Sequence, residues 1–159
     1  VQLIREAKGR GVPVTCETCP HYFILTEDAI GDYDTFAKVN PPLRAKEDVY
    51  AIIEGIMDGT IDVIASGHSP TNMTEKEREF DVAAYGISAL ETALSLSYTH
   101  LVETGYITGK DADIIVVDFL ETHRIDPEHF ASKAKFSPFA AEEVRGKVLY
   151  TMVGGRLLT

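Results

Sequence analysis

Helical and strand-like patterns of apolar residues alternate along the first two thirds of the chain. Residues 46–59 have apolar side chains at helical spacing, and residues 1–9 and 83–105 are also predicted to be helices. Residues 12–18 are rich in β-branched side chains, and residues 61–66 form a nearly continuous apolar run. Such a run is typical of a strand covered on both faces of a parallel sheet. The alternation of strands and helices predicts a parallel α/β fold.

The pattern changes after Gly105. Two segments rich in β-branched residues, "DADIIVVDF" and "KVLYTMVGGRLL", are separated by a long irregular connection. The second segment contains Gly154-Gly155, a pair suited to a tight hairpin turn. We therefore expect α/β residues 1–108 to be followed by a β-rich segment, residues 109–159.

Composition and charge narrow the class of protein. Hydrophobic residues make up 45% of the 159 residues, and no apolar run approaches the roughly 18 residues that span a bilayer. The 25 acidic and 15 basic residues give a formal net charge of -10, which disfavours a nucleic-acid partner. We predict a cytoplasmic protein with neither a membrane nor a nucleic-acid partner. Because Val1 lies inside a helical pattern, we also expect a further N-terminal portion.

The two cysteines, Cys16 and Cys19, form a single C-x-x-C motif. A structural zinc site normally needs four ligands, so one pair is weak evidence for it. A thioredoxin-like redox motif lies at the start of a helix, whereas this pair lies at the end of a predicted strand. We therefore predict two reduced, partly buried thiols.

Three short stretches carry residue types suited to catalysis or binding. His21 in "ETCPHY" is a candidate metal ligand or general base, although single histidines more often have structural roles. Asn40 in "KVNPPLR" can both donate and accept hydrogen bonds, as recognition of a cyclic amide requires, but Asn-Pro is also an ordinary turn signal. His68 and Ser69 follow a predicted strand, and as neighbours on an extended loop their side chains point apart, which disfavours a nucleophile–base pair.

The order and spacing of these motifs closely resemble the C-terminal half of bacterial dihydroorotases, the cyclic amidohydrolases of pyrimidine synthesis. The resemblance runs over nearly the whole chain, and "KVNPPLR", "DGTIDVIAS" and "GISALET" are its specific segments. "ETCPHY" and "SGHSP" are also similar to motifs of allantoinases, and hydantoinases are more distant relatives.

This resemblance implies a fold, a cofactor and two site residues. The fold is a partial TIM-type (β/α) barrel of the metal-dependent hydrolase kind, whose C-terminal β-strands belong to a small β-sandwich. In the family, the histidine of the "PHY/PHH" motif is a zinc ligand, which implies that His21 binds the metal. The asparagine of "NPPLR" contacts the substrate ring, which implies that Asn40 binds substrate. Zinc is the implied cofactor, because its bound hydroxide attacks the ring amide carbon.

The chain departs from the family at the metal and catalytic motif. Gly67 stands where relatives have the aspartate that binds the metal and transfers the proton. Thr71 replaces a histidine that helps to hold the substrate carboxylate, and it is a weaker candidate for substrate binding. His68 is retained, and the resemblance implies that it supports the metal site without ligating the ion. The His-x-His pair of relatives, and a stretch of barrel helix and loop after "YIT", have no counterpart.

Three functions remain open. In the first, the chain is a dihydroorotase-like hydrolase that reversibly closes carbamoyl-aspartate to dihydroorotate and is incomplete or impaired in this form. Alternatively, it is a non-catalytic homologue that serves as an assembly scaffold, or an allantoinase or hydantoinase-type amidohydrolase. The expected ligand is a small cyclic amide such as dihydroorotate. Because part of a barrel leaves strand edges uncovered, we expect a homo-oligomer, or assembly with a missing segment or a pathway enzyme.

Overall fold

The computed structural model describes the fold of residues 1–107, 115–153 and 156–158. The helices are α1 (Gln2–Gly9), α2 (Pro20–Ile24), α3 (Lys46–Met57), α4 (Met73–Lys76) and α5 (Ala93–Ser97), which continues as a π-helix over Tyr98–Val102. The strands are β1 (Glu17–Thr18), β2 (Val63–Ile64), β3 (Ile115–Arg124), β4 (Glu143–Val153) and β5 (Arg156–Leu158).

The helices α1 and α3 lie where the apolar spacing predicts them. In α3, Glu47 and Asp48 occupy the first turn, where acidic side chains stabilise the positive end of the helix dipole. Val49 and Ile53 form the buried face of α3, and Gly59, with a φ of +76°, follows its end. None of the helices that the structure describes is long and apolar enough to cross a membrane.

The parallel sheet is much shorter than the two strand-like runs predict. β1 pairs with β2, with Glu17 opposite Val63 and Thr18 opposite Ile64. Val63 is 51% exposed, so the prediction of a strand covered on both faces is wrong for the described chain. Among the described residues, no further strand pairs with β1 or β2, and a two-stranded sheet gives little support for longer strands.

The long helix predicted for residues 83–105 is wrong in its first half. The chain is extended at Ile87, which forms a parallel bridge with His68, and the helix begins only at α5. Gly86 has a φ of +111°, and a Cβ at this position would lie 2.3 Å from the Ser69 carbonyl oxygen. Close packing against the loop after β2 therefore overrides the helical spacing of the apolar residues.

The β-rich part forms an antiparallel sheet with the strand order β3-β4-β5. Arg124 at the end of β3 lies opposite Glu143 at the start of β4. β4 and β5 form the predicted hairpin, with Val153 opposite Arg156. The predicted turn residues themselves, 154–155, lie outside the described residues.

One apolar core joins both parts of the chain. Besides the apolar contacts of this core, the Ser95 hydroxyl on α5 donates a hydrogen bond of 2.7 Å to the Gly146 carbonyl on β4. The shared core does not mark a boundary between the two parts. Their division into residues 1–108 and 109–159 stays a prediction. The buried members of this core are Ala37, Val39, Leu43, Ile87, Ala89, Leu96, Ile125, Phe130, Phe139 and Val144.

Candidate functional site

A cavity of about 750 Å³ lies where β1, α2 and the loop after β2 come together. His21 and Asn40, the two residues that the sequence analysis emphasises, both line this cavity. Polar or reactive side chains on its wall include Cys16, Cys19, His21, Tyr22, Asn40 and Ser69. The fold therefore brings the predicted metal ligand and the predicted substrate-binding residue to one cavity.

His21 is held by α2, a short helix that begins with Pro20 at its first position. The His21 side chain is 4% exposed, and its Nδ1 is buried without a hydrogen-bond partner among the described residues. Burial disfavours the charged imidazolium and lowers the pKa of His21 to about 4. The imidazole is therefore neutral at neutral pH, which is the form that binds metals.

Gly67 lies directly against His21. A Cβ at Gly67 would lie 2.6 Å from His21 Cε1 and 2.8 Å from Cys19 Sγ, closer than real side chains approach one another. The φ of Gly67 is +65°, a backbone conformation that favours glycine. The aspartate that the sequence resemblance implies at this position has no room here while Cys19 and His21 keep their places.

The two cysteines are free and half-buried, as predicted, but their surroundings differ. The Cys16 thiol donates a hydrogen bond of 3.2 Å to the Thr60 carbonyl. Cys19 lies beside Gly67 on the cavity wall. Burial, and then the nearby Glu17 carboxylate, raises the pKa of the Cys19 thiol.

Asn40 follows a segment that two buried lysines hold in place. The Lys38 ammonium donates hydrogen bonds to three carbonyl oxygens within residues 80–83, at 2.6 to 3.2 Å. The Lys76 ammonium, on α4, donates to the carbonyl oxygens of Thr35 at 2.8 Å and of Lys38 at 3.3 Å. Burial, and then repulsion by Lys38, lowers the pKa of Lys76 to about 8. We call Lys38 and Lys76, with these contacts, the lysine clasp.

The lysine clasp also positions a second wall of the cavity. The Gly86 amide donates to the Lys38 carbonyl at 3.0 Å, and the Lys38 ammonium lies 4.4 Å from the centre of the Tyr85 ring. Tyr85 and Gly86 line the cavity together with Asn40. The clasp therefore fixes the position of Asn40 relative to this wall.

His68 contacts the segment before α5. Its Nδ1 accepts hydrogen bonds from the backbone amides of Ala89 at 3.1 Å and Leu90 at 3.2 Å. These contacts connect the loop after β2 with the extended chain around Ile87. The supporting role at a metal site that the resemblance implies for His68 stays a prediction.

Thr71 is not brought to the cavity that contains His21 and Asn40. It lines a second cavity, with Glu75 and Lys133 among its neighbours. The hydroxyl oxygen of Thr71 is buried and has no hydrogen-bond partner among the described residues. Its predicted contact with substrate therefore gains no support from its position.

The described residues do not fit a catalytic zinc site. Catalytic zinc typically takes three protein ligands. Within the part of the chain that the structure describes, no group of three His, Cys, Asp or Glu side chains could hold a metal ion. Cys16, Glu17, Cys19 and His21 all line the cavity but do not form such a group, and Gly67 has no side chain.

Sequence reasoning did not assign several side chains to the cavity wall, among them Cys19, Tyr22 and Tyr85. Tyr22 donates a hydrogen bond of 2.9 Å to the Pro41 carbonyl, which fixes α2 against the segment that carries Asn40. Tyr22 follows His21 directly and Cys19 lies two residues before it within "CPHY", so their place on the wall could have been expected. Nothing in the sequence around Tyr85 indicates its position.

No protein-family model matches the chain. The chain is 46% identical to a dihydroorotase of Acetivibrio thermocellus and 48% identical to one of Desulforapulum autotrophicum, each over 99% of its length. The matches cover 43% and 42% of those proteins, so the chain spans less than half the length of these curated relatives. The first alignment extends over 183 positions although the chain has 159 residues, so about two dozen positions of the relative have no counterpart here.

The chain has the same α/β fold as solved structures of two amidohydrolases and of one inactive dihydroorotase-like domain. The L-hydantoinase of Arthrobacter aurescens gives a TM-score of 0.90 at 28% identity, over 99% of this chain and 42% of that one. The dihydropyrimidinase of Brevibacillus agri gives 0.88 at 23% identity, over 99% and 42%. The inactive dihydroorotase-like domain of a Chaetomium thermophilum CAD-like multifunctional protein gives 0.67 at 21%, over 98% and 47%. From its sequence identity to curated dihydroorotases, the chain belongs to the dihydroorotase-like amidohydrolases and corresponds to the C-terminal part of those relatives.

Proposed function

We propose that this chain is a dihydroorotase-like protein that binds a small cyclic amide in the cavity beside His21 and Asn40, and that its hydrolytic activity is impaired. The observation that carries the proposal is the placement of both residues on one cavity, in a chain up to 48% identical to dihydroorotases. The cavity volume of about 750 Å³ lies within the range of about 300–1,000 Å³ that is typical of small-molecule sites.

Asn40 supplies the recognition chemistry in this proposal. Its carboxamide both donates and accepts, which complements the N–H and C=O groups of a ring amide. The lysine clasp and the two prolines that follow Asn40 restrict the backbone around it, so little conformational freedom is lost on binding.

Hydrolysis requires more than the described residues provide. Ring opening needs an activated water and a group that transfers the proton. Gly67 offers no side chain for proton transfer, and the described residues do not fit a three-ligand zinc site. We propose that zinc-dependent ring opening, as a step of pyrimidine biosynthesis in the cytoplasm, requires ligands from a further segment, a second copy or a pathway enzyme.

For the architecture, we propose that residues 1–108 form the C-terminal portion of a TIM-type barrel and residues 109–159 part of a composite β-sandwich. The parallel pairing of β1 with β2, with α3 between them in sequence, supports the barrel portion. The antiparallel sheet β3-β4-β5 supports the sandwich portion.

Binding of the substrate ring can be tested by calorimetric titration of dihydroorotate into the wild-type chain and Asn40→Ala. We expect wild-type binding, and weakening by about tenfold or more in Asn40→Ala because a ring amide loses its paired hydrogen bonds. Asn72→Ala is the matched control, since Asn72 lines the second cavity, and it should bind as the wild type does. Absence of wild-type binding, or equal binding by Asn40→Ala, would contradict the proposal.

Impairment is tested by the ring closure of carbamoyl-aspartate on the same samples with added zinc. We expect little or no turnover, because Gly67 has no side chain for proton transfer and no three-ligand metal site is present among the described residues. Metal-dependent turnover that His21→Ala abolishes would show that the chain alone is a working hydrolase.

Two other functions are supported by particular observations. The TM-score of 0.90 at 28% identity with an L-hydantoinase supports a hydantoinase-type ligand, and an allantoinase-type ligand rests on the motif resemblance alone. Titrations of hydantoin and allantoin beside dihydroorotate separate these ligands. The lack of a side chain at Gly67 favours a non-catalytic scaffold. A scaffold would bind none of the three rings and would form a stoichiometric complex with an enzyme of the same pathway.

A further inference from the structure

We infer that the exposed surface formed by residues 32–34 and 79–82 binds an arginine-rich segment of a partner protein. We call these two stretches the acidic aromatic surface. None of their residues lines the cavity that contains His21 and Asn40. The inference therefore requires neither binding nor opening of a cyclic amide.

The two stretches are distant in sequence but form one surface. The Tyr33 and Phe80 rings meet edge to face, with their centres 5.6 Å apart. The buried Lys38 ammonium donates a hydrogen bond of 2.6 Å to the Phe80 carbonyl, and Lys76 donates one of 2.8 Å to the Thr35 carbonyl. The lysine clasp therefore holds both stretches in place, and a preformed surface loses little conformational freedom when it binds a partner.

Large apolar side chains of this surface project into solvent. Tyr33 is 73% exposed although one edge of the ring pair contacts Phe80, and Val82, two residues beyond Phe80, is 51% exposed. Exposed apolar side chains that lie together, and not singly, mark interaction sites. Tyrosine is also among the residue types that contribute most to binding at protein interfaces.

The backbone at Tyr33 is strained, which gives a second and independent reason to assign a role to its ring. The φ of Tyr33 is +64°, in the left-handed region that bulky side chains rarely adopt. A glycine would adopt this conformation without strain. Strain of this kind is concentrated at functional sites, where the position of the side chain has a use.

Carboxylates surround the exposed rings. None of them forms an ion pair with another residue that the structure describes. The two buried ammonium groups of the lysine clasp offset part of their charge, and the neighbouring Arg78 is paired with Glu75 at 3.2 Å. The surface therefore keeps a negative charge. Its four exposed acidic residues are Asp32, Asp34, Glu79 and Asp81.

Charge complementarity selects the partner. A negative surface on a chain of net charge -10 repels the phosphates of nucleic acids and of anionic lipids, and it attracts a basic polypeptide segment. Arginine fits this surface better than lysine, because its planar guanidinium stacks on an aromatic ring and binds a carboxylate through two parallel hydrogen bonds. We therefore assign the surface to a segment with several arginines.

A fluorescein-labelled peptide of three arginines separated by glycines is the probe that tests this surface. Its binding to the wild-type chain is measured by fluorescence anisotropy, beside matched peptides in which lysine or glutamate replaces each arginine. We expect the arginine peptide to bind about tenfold more tightly than the lysine peptide, and the glutamate peptide not to bind. Added salt should weaken the binding, because it screens exposed charges.

Two variants test the ring and the charge separately. Tyr33→Gly removes the ring while suiting the positive φ, and it should weaken binding of the arginine peptide by about tenfold. Asp32→Asn combined with Asp81→Asn keeps the shape of the side chains and removes two charges, with an effect of about the same size. The matched controls on α3, Tyr50→Ala at a 49% exposed ring and Glu54→Gln at an exposed carboxylate, should bind as the wild type does.

Circular dichroism of each variant checks that it folds. Hydrogen exchange of the wild-type chain with and without the arginine peptide gives a second measurement that needs no variant. We expect the peptide to protect the backbone amides of residues 32–34 and 79–82.

Several results would overturn the inference. These are no binding of the arginine peptide, equal binding of the lysine peptide, unchanged affinity in Tyr33→Gly, or protection confined to other residues. Equal losses in the α3 controls would mean that net charge alone attracts the peptide. A double Asp variant that changes only the oligomeric mass, with no peptide bound by the wild type, would assign the surface to a second copy of the chain.

Discussion

At the scale of single residues, burial sets the chemistry of His21. The same burial that leaves its Nδ1 without a partner lowers its pKa from 6.5 to about 4. The folded chain thus holds a neutral imidazole in a cavity wall, and any proton that reaches it must be accommodated away from water. Protonation of His21 at low pH therefore destabilises the folded state.

We expect the metal-free chain to lose stability as the pH falls from about 6.5 to about 4. In this window the unfolded state binds a proton on His21 and the folded state does not, so protonation favours unfolding. Above and below the window, this contribution does not change with pH. The loss amounts to about 3 kcal/mol.

Urea unfolding of the metal-free chain at several pH values measures this loss. His21→Gln should remove that part of the pH dependence. The control His129→Gln, whose side chain is 86% exposed, should retain it. Equal pH dependence in the wild type and His21→Gln would show that another group is responsible.

Gly67 and Gly59 form a matched pair for a test of crowding. Both have positive φ, +65° and +76°, but a Cβ at Gly59 would meet nothing within 4 Å. We expect Gly67→Ala to lower the free energy of unfolding by about 1–3 kcal/mol more than Gly59→Ala, because it overpacks the contact with Cys19 and His21. Denaturant unfolding of both variants measures the difference, and equal losses would mean that the site has room.

This crowding also bears on the missing carboxylate. Gly67→Asp by itself would introduce the acid together with a clash, so a lack of turnover in this variant would not show whether the acid alone is sufficient. Combination with Cys19→Ala removes the contact with the Cys19 sulfur at 2.8 Å but keeps the one with His21 Cε1 at 2.6 Å, so the double variant relieves part of the clash.

At the scale of elements, the lysine clasp connects α4 with the segment that carries Asn40. The Lys76 ammonium donates to backbone carbonyls in residues 35–38, and the Lys38 ammonium donates to those in residues 80–83. The Thr35 hydroxyl in turn donates to the Lys76 carbonyl. Lys76 is fully buried. Because charged donors to buried carbonyls are costly to remove, this contact orders two loops that have little secondary structure of their own.

Lys76→Met tests the clasp. We expect the free energy of unfolding to fall by about 2 kcal/mol, because the Thr35 and Lys38 carbonyls lose their donor. Hydrogen exchange of residues 35–40 should accelerate. Lys46→Met, which removes an exposed lysine above Tyr50, should change stability by less than about 0.5 kcal/mol. Unchanged exchange in Lys76→Met would mean that the loops are held by other contacts.

At the scale of the whole molecule, the parallel sheet has open edges. Among the described residues, β1 and β2 pair with each other and with no other strand. Several large apolar side chains are exposed, including Val63 at 51%, Leu90 at 63% and Leu3 at 80%. Unpaired strand edges beside apolar side chains favour association.

We therefore expect the chain to form oligomers whose mass rises with concentration in light scattering. Val63→Lys places a charge on the open strand β2 and should reduce this association. The control Val82→Lys changes an equally exposed valine outside the strands and should not reduce it. A monodisperse monomer that melts cooperatively at all concentrations would contradict this view of the sheet.

Local patterns were enough to place α1 and α3, to give the order of the α/β and β-rich parts, and to single out His21 and Asn40. These features depend on periodicity and motif identity within short windows, which do not require knowledge of distant contacts. Contacts between distant segments made the other decisions. They keep the backbone at Ile87 extended where the local pattern predicts a helix, and they bring Gly67 against Cys19. They also place Thr71 in a different cavity from His21 and Asn40. Such outcomes follow from which surfaces pack together, and packing energies of distant segments outweigh the small preferences of single residues.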